Sequence, residues 1–152
     1  MDGADSIRTI TEQDTGQVLL LERQCFQDPW SEQLIREAFG CHGGEAAGLF
    51  VGGRLCGYYF SGSVLDEGEL MNLCVDETFR RQGYARMLLH HMEGKMKAKY
   101  VRRIYLEVRK KNTPARSLYL SEGYEEVGLR RGYYGDDDAV LMMKQLSKEG
   151  AV

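Results

Sequence analysis

The sequence predicts an α/β fold of the α+β type, in which helices cover a mixed seven-stranded sheet. Short segments of alternating or continuous apolar residues are typical of strands, and four other segments repeat apolar residues at helical spacing. The segments follow one another as strand, two helices, three strands, helix, strand, helix and two strands, which favours a mixed sheet with helices on its faces. Because no repeat or linker-like break interrupts them, we expect one domain over residues 1–152, with its core at about 6–146.

A short strand and two helices begin the chain. Residues 6–10 alternate polar and apolar side chains, as a half-buried strand does. Thr11, with an aspartate three residues later, is a capping-box signal, and helical spacing then continues to about Phe26. Ser31 is the expected cap of a second helix, which stops at Gly40.

Three strands are expected next, connected by two tight turns. Residues 46–51 and 55–64 flank a Gly-Gly-Arg segment, which is a hairpin signal. A second turn at residues 66–68 leads into an apolar strand at residues 70–75. The three strands therefore form an antiparallel meander.

The strand at residues 70–75 leads into a helix through the loop at residues 80–85. Backbone N–H groups at the N-terminus of a helix attract anions, and phosphate suits such a loop best. Gly83 and Ala85 are small enough to let a phosphate approach, and neighbouring arginines add positive charge. A basic turn exposed to solvent explains the same residues equally well. The helix then presents one apolar face, made of Ala85, Leu88, Leu89, Met92 and Met96.

The remaining segments complete the sheet. Residues 103–108 form a strand whose apolar residues share one side, so Glu107 faces the other side. Asn112 opens a last helix, with Pro near its start, that ends near Glu122. Residues 124–129 and 139–145 are the last two strands.

Composition favours a soluble protein of the cytoplasm. Apolar residues make up 43% and charged residues 28% of the chain, and a net charge of −3 gives no general case for nucleic acid or membrane binding. The chain has no signal-peptide pattern and no segment of membrane-spanning length. Four cysteines lie far apart without metal-ligand spacing, so we expect reduced thiols, no disulfide and no metal: Cys25, Cys41, Cys56 and Cys74.

These elements, with an R-x-x-G-x-A motif at the start of the third helix, resemble the GCN5-related N-acetyltransferase (GNAT) superfamily and its acyl-CoA N-acyltransferase fold. The resemblance spans about residues 6–145. It narrows to the RimI group, bacterial enzymes that acetylate the N-terminal alanine of a small-subunit ribosomal protein. The segments that carry the narrower resemblance are residues 28–31, 72–76, 80–86, 106–109 with Asn112, 118–119, 130–134 and 138–139.

The resemblance implies acetyl-CoA as the co-substrate. A strand segment would pair its main chain with the pantetheine arm, and the loop would hold the pyrophosphate. Asn112 would contact the same molecule, although by itself an asparagine there is more typical of a turn or helix cap. The residues implied are Leu73, Cys74 and Val75 in the strand, Arg81, Gln82, Gly83, Tyr84, Ala85 and Arg86 in the loop, and Asn112.

The resemblance also implies the catalytic pair. Glu107 matches the proton acceptor and Tyr119 matches the proton donor. Without the resemblance, Glu107 could be a solvated strand residue balanced by Arg109, and Tyr119 a packed aromatic residue. The implied acceptor site consists of Trp30, Tyr133, Tyr134 and Asp138, where Trp30 could instead pack in the core and the acidic loop could be merely solvated.

The implied function is transfer of acetyl to the N-terminal α-amine of a small-subunit ribosomal protein, by a monomer that binds neither nucleic acid nor membrane. An alternative within the family is acetylation of lysine side chains or a small amine. A second alternative is an acetyl-CoA-binding module without catalysis. A dinucleotide-dependent dehydrogenase is disfavoured because the chain has no G-x-G-x-x-G motif after a strand.

Overall fold

The computed structural model describes residues 6–146. Its helices and strands are β1 (Ser6–Thr9), α1 (Thr15–Cys25), α2 (Glu32–Phe39), β2 (Gly44–Val51), β3 (Arg54–Val64), β4 (Glu67–Val75), α3 (Tyr84–Ala98), β5 (Arg103–Arg109), α4 (Thr113–Ser121), β6 (Glu125–Arg130) and β7 (Ala139–Gln145). The order β1-α1-α2-β2-β3-β4-α3-β5-α4-β6-β7 confirms the prediction. The two ends of the predicted domain, residues 1–5 and 147–152, lie outside the described residues.

The seven strands form one mixed sheet with the order β1-β2-β3-β4-β5-β7-β6. β5 is parallel to β4 and antiparallel to β7, and the pairs β1–β2, β2–β3 and β6–β7 are antiparallel as well. The parallel pairing joins residues 67–70 of β4 to residues 103–106 of β5. The predicted fold class, a mixed sheet with helices, is therefore confirmed.

The described chain divides into two compact units, each made of two segments. The first unit consists of residues 6–62 and 71–95, and the second of residues 63–70 and 96–146. β3, β4 and α3 each contribute residues to both units. The expectation of one domain stays a prediction.

Side-chain caps begin the helices of the first unit as predicted. Thr11 and Asp14 form a capping box, which begins one turn of 3-10 helix at Glu12–Asp14 before α1. Ser31 Oγ accepts a hydrogen bond from the Leu34 amide at 3.1 Å and begins α2. These local bonds place both short helices.

Phe60 lies at the centre of the aromatic core of the first unit. Its ring contacts those of Trp30, Phe39 and Tyr58, with centroids 5.5, 5.0 and 5.7 Å away. Phe60 itself is 1% exposed. Aliphatic side chains from α1, α2 and the first strands complete this core: Ile10, Val18, Leu21, Ile35 and Leu55.

The two strand connections differ from each other. Gly52 and Gly53 form the predicted hairpin turn, and their positive φ angles of 58° and 83° explain the need for glycine. The second turn was predicted at residues 66–68, and it is present but begins one residue earlier, at Leu65 and Asp66. The chain turns at Leu65, with φ of 56°, and β4 has already begun at Glu67.

Gly68 is a packing residue rather than a turn residue. A Cβ atom built at Gly68 would lie 2.5 Å from Met96 Sδ, closer than any real contact allows. Gly68 pairs with Ile104 of β5 in the parallel ladder. Glycine therefore leaves room for the side chain of Met96, which would have to move if a Cβ atom were present.

The second unit shows the strand alternation predicted for β5. Ile104, Leu106 and Val108 are buried, whereas Tyr105, Glu107 and Arg109 are only partly buried. The whole of β5 pairs with β7. Glu107 therefore lies on the side of the sheet opposite to the buried aliphatic residues, as predicted.

Candidate active site

The end of β4 and the loop after it lie in the first unit. Cys74 and Val75 are buried, and Leu73 is partly buried. The Val75 carbonyl accepts hydrogen bonds from Arg80 Nε at 3.1 Å and from the Cys25 thiol at 3.5 Å. Arg80 was expected to add positive charge for a phosphate, but its guanidinium is instead bonded to the backbone of β4.

The loop of residues 81–86 leads into α3 with a special backbone. Arg81 and Gly83 have positive φ angles of 66° and 80°, and the Gly83 carbonyl accepts the first helical bond, from the Met87 amide at 3.0 Å. A Cβ atom at Gly83 would meet nothing within 4 Å. Glycine is therefore needed for the left-handed conformation, and the space in front of it is open.

This loop could hold a phosphate. Arg81, Gln82, Gly83 and Arg86 are exposed, and Tyr84 and Ala85 are partly buried. They lie at the N-terminus of a 15-residue helix, where the helix dipole favours an anion.

A buried carboxylate joins four segments of the first unit. Glu22 of α1 is 1% exposed. The Tyr58 hydroxyl and Asn72 Nδ2 donate to its Oε1 atom, the latter at 2.7 Å, and the Trp30 amide donates to Oε2 at 2.9 Å. Burial and the nearby charges of Cys74 and Glu22 raise the pKa of Tyr58, which therefore stays a donor.

Trp30 is held by this carboxylate through its backbone and by the core through its ring. The ring packs against Phe60 and is partly buried. The sequence allowed either core packing or substrate binding for Trp30, and its ring occupies a core-packing position. Its predicted contact with an acceptor stays a prediction.

Glu107 and Arg130 form an ion pair in the second unit. Arg130 Nε lies 2.9 Å from Glu107 Oε2, and the two side chains are 57% and 22% exposed. Oε2 is buried, and no described donor meets it with hydrogen-bond geometry despite this short distance. The contact is thus a charge pair without an aligned hydrogen bond.

A second carboxylate stands near this pair. Glu69 of β4 is the register partner of Tyr105, two residues before Glu107 on the neighbouring strand. Partial burial and the charge of Glu107 raise the pKa of Glu69, while Arg130 opposes the shift. Glu69, Glu107 and Arg130 therefore form one electrostatic cluster.

Tyr119 lies on α4 and is 7% exposed. Its ring packs edge-to-face against Tyr124, with centroids 5.8 Å apart. Burial raises the pKa of the Tyr119 phenol above its ordinary value, so the phenol keeps its proton at neutral pH.

The loop between β6 and β7 is ordered by its own aspartates. Asp138 accepts from the Gly132 amide at 2.8 Å, and Asp137 accepts from the Lys111 amide at 2.9 Å. Asp136 pairs with Arg109 at 2.9 Å. The three aspartates therefore make specific contacts and are not merely solvated.

The same loop presents two tyrosines. The rings of Tyr133 and Tyr134 meet edge-to-face at 5.1 Å. The guanidinium of Arg109 lies 4.2 Å from the Tyr134 ring centroid, and that of Arg130 lies 5.4 Å from the Tyr133 centroid. The loop therefore surrounds the two arginines that flank Glu107 with aromatic rings.

Asn112 caps α4. Its Oδ1 atom accepts from the Ala115 amide at 3.2 Å. This is the capping role that an asparagine before a helix favours. Its predicted contact with acetyl-CoA stays a prediction.

The predicted residues thus fall into one group in each unit. Trp30, the end of β4 and the loop at 81–86 belong to the first, and Glu107, Asn112, Tyr119 and the loop at 131–138 belong to the second. An open concavity of about 550 Å³ lies elsewhere, beside α2, and contains none of them. No cluster of three or more potential metal ligands and no helix long and apolar enough to cross a membrane occur within residues 6–146.

Comparison with known proteins decides the family. The model of the acetyltransferase (GNAT) family matches residues 16–124. The chain belongs to this family. Ribosomal protein bS18-alanine N-acetyltransferase of Salmonella typhimurium strain LT2 is 33% identical over 149 residues, covering 94% of this chain and 99% of that protein.

Solved GNAT structures share the fold. The crystal structure of the ribosomal-protein-S18-alanine N-acetyltransferase from Escherichia coli has a TM-score of 0.89 and 30% identity, with 95% of each chain covered. The PaiA N-acetyltransferase from Thermoplasma acidophilum, solved in complex with coenzyme A, has a TM-score of 0.81 over 94% of this chain and 99% of that chain. Its 17% identity supports the fold alone.

Three charged residues of this GNAT chain were missed by sequence reasoning. Glu69 and Arg130 are brought to Glu107 by strand pairing, which no local pattern reveals. Glu22 did leave a signal, because it falls within the apolar stripe of α1 between Val18 and Cys25. An acidic residue in a buried stripe indicates a paired carboxylate.

We expect Glu22→Ala to destabilise the protein by about 3 kcal/mol or more, because it leaves the buried Tyr58 hydroxyl and two partly buried N–H donors without an acceptor. Urea unfolding followed by circular dichroism measures the change. The matched control is Glu37→Ala on the exposed side of α2, expected within about 0.5 kcal/mol of the parent protein. Equal stabilities for the two variants would contradict the anchoring role.

Proposed function

We propose that this protein is an N-terminal acetyltransferase, which transfers acetyl from acetyl-CoA to the N-terminal alanine of a small-subunit ribosomal protein. The observation that carries the proposal is the 33% identity, over 94% of the chain, to an enzyme named for this reaction on ribosomal protein bS18. We further propose that the protein acts as a monomer in the cytoplasm, without binding nucleic acid directly.

The chemistry of an α-amine suits a site of this kind. With a reference pKa of about 7.7–8.0, roughly a tenth to a fifth of such amines are neutral and nucleophilic at pH 7. For lysine, with a pKa of about 10.4, the fraction is about a thousandth or less. An N-terminal amine therefore needs only a modest base.

We assign the base to Glu107. Its side chain is 22% exposed, so an ammonium group or a bridging water can approach the carboxylate. Arg130 occupies the neighbouring position at 2.9 Å. The protonated amine of the substrate competes with Arg130 for this carboxylate, because both groups are cations. After it has lost its proton, the neutral amine no longer competes.

We assign the proton donor to Tyr119. The departing coenzyme A thiolate needs a hydrogen-bond donor and then a proton. Burial keeps the Tyr119 phenol protonated at neutral pH, which is the state this role requires.

Acetyl-CoA supplies the acyl group as a thioester. The residues fit its phosphates, because the positive-φ loop at Arg81 and Gly83 leaves open space at the N-terminus of α3. The residues proposed to hold it are Leu73, Cys74, Val75, Arg81, Gln82, Gly83, Tyr84, Ala85, Arg86 and Asn112. Tyr133, Tyr134, Asp138 and Trp30 are proposed to shape the acceptor site.

The acceptor class can be tested directly. We expect rapid acetylation of a peptide that has a free N-terminal alanine. We expect little or no acetylation of a matched peptide that has a formylated N-terminus and an internal lysine. Mass spectrometry locates the acetyl group. Faster acetylation of the lysine peptide or of a polyamine would favour the alternative within the family, and binding of acetyl-CoA without turnover on any amine would favour a binding module.

We expect Glu107→Gln to lower kcat/KM by about 10²-fold at pH 7 and to shift the pH–rate profile toward higher pH, because the amine must then lose its proton without a base. Steady-state kinetics from pH 6 to about pH 10 show the shift. Glu125→Gln, which removes an exposed carboxylate from β6 of the same sheet, is the matched control. A profile that does not move would remove Glu107 from this role.

We expect Tyr119→Phe to lower kcat by about tenfold or more while acetyl-CoA binding stays nearly intact, because only the departing thiolate needs the phenol proton. Single-turnover kinetics and calorimetric titration separate the two effects. Tyr124→Phe, which removes the hydroxyl from the ring packed against Tyr119, is the control with expected normal turnover. An unchanged kcat in Tyr119→Phe excludes the donor role.

A further inference from the structure

Two cysteines of the first unit bring their sulfur atoms together. Cys25 is the last residue of α1, and Cys74 lies in β4. Their Sγ atoms are 2.6 Å apart, and the Cys74 thiol donates to the Cys25 sulfur. A covalent S–S bond measures about 2.05 Å, so closing the bond requires a shift of only roughly 0.5 Å.

The two thiols have different surroundings. Cys74 is 4% exposed, and its thiol also contacts the Leu21 carbonyl at 3.7 Å. Cys25 is only partly buried and lies close to Arg80. Cys25 is therefore the more exposed residue of the pair, and Cys74 is almost fully enclosed.

The hydrogen bonds polarise the pair. Donation by the Cys74 thiol and the nearby Arg80 guanidinium lower the pKa of Cys25, although burial opposes them. The same hydrogen bond and burial raise the pKa of Cys74. Such an asymmetry is typical of dithiols in which one thiolate attacks an oxidant and the second thiol completes the disulfide.

Core packing alone does not account for this arrangement. Cys56 is also fully buried, yet its thiol bonds to the backbone carbonyl of Arg54 at 3.3 Å. Cys41 is exposed, and its thiol lies 3.8 Å from the His42 carbonyl. Cys25 and Cys74, by contrast, direct their sulfur atoms at each other.

We propose that Cys25 and Cys74 are an oxidation site, which closes to a reversible disulfide when the protein meets a peroxide. The Cys25 thiolate attacks one peroxide oxygen, the O–O bond breaks, and hydroxide leaves with the electron pair and takes up a proton. The Cys74 sulfur then attacks the sulfenic acid of Cys25, and a second water leaves with the Cys74 proton. Two thiols and one hydrogen peroxide thus give one disulfide and two waters, and an added dithiol reverses the reaction.

Peptide mapping tests this proposal without any variant. Cleavage after glutamate places the four cysteines in four separate peptides, with Cys25 in residues 23–32 and Cys74 in residues 70–77. After one equivalent of hydrogen peroxide and alkylation of the remaining thiols, we expect these two peptides cross-linked and short of two hydrogen atoms. Dithiothreitol should release them. A cross-link to Cys56, or preferential oxidation of exposed Cys41, would overturn the proposal.

Variants test the order of the two steps. We expect Cys74→Ser to stop at a sulfenic acid on Cys25, which dimedone traps, and Cys25→Ser to leave Cys74 unoxidised. Cys41→Ser is the matched control and should form the disulfide as the parent does. Should Cys74→Ser fail to fold, the rate of Cys25 alkylation in the parent decides the point: a Cys25 slower than Cys41 at neutral pH would overturn the assignment.

Discussion

The buried carboxylate of Glu22 is the interaction on which the first unit depends. It accepts hydrogen bonds from β3 through Tyr58, from β4 through Asn72 and from the segment before α2 through Trp30. Hydrogen bonds to a charged acceptor contribute about 1.5–3 kcal/mol each, while a buried carboxylate without them would be strongly unfavourable. The folded unit therefore has to bring all these donors to one point, and this requirement fixes where α1 lies on the strands.

The second unit contains a charge cluster that is less completely hydrogen-bonded than Glu22. Glu22 has all its donors in place, whereas Glu107 has a charge partner but an oxygen without an aligned donor. Partial burial raises the pKa of Glu69, the nearby charge of Glu107 adds to that rise, and Arg130 offsets part of it. A buried carboxylate oxygen without an aligned donor costs stability, so this cluster is held together less firmly than the Glu22 anchor.

The sequence could predict most elements because their signals are local. The capping box at Thr11, the hairpin glycines at residues 52–53 and the alternation of β5 all act within a few residues, and each was confirmed. Gly68 was misread because a glycine selected by packing against Met96 looks like a turn glycine. For Asn112, the resemblance implies a contact with acetyl-CoA, whereas the local sequence predicts a helix cap. The structure shows the cap.

Site residues were predictable only in part, since side-chain partners come from distant segments. Arg80 looked like one more cation of a phosphate loop, but its bond to the Val75 carbonyl gives it a structural task. Glu69 and Arg130 join Glu107 through strand pairing that the sequence does not display. Glu107 and Tyr119 were named only through the family resemblance, and their catalytic roles stay predictions.

The geometry of α1 on β4 connects the Glu22 anchor with the cysteine pair. Asn72 and Cys74 are two residues apart on β4, so their side chains leave the same face of the strand. Glu22 and Cys25 are three residues apart on α1, so they too share a face. The Glu22–Asn72 hydrogen bond therefore holds the next contact along, Cys25 with Cys74, at close range in the reduced protein. Because the anchor fixes the two elements, the two sulfur atoms already lie near bonding distance before any oxidant arrives.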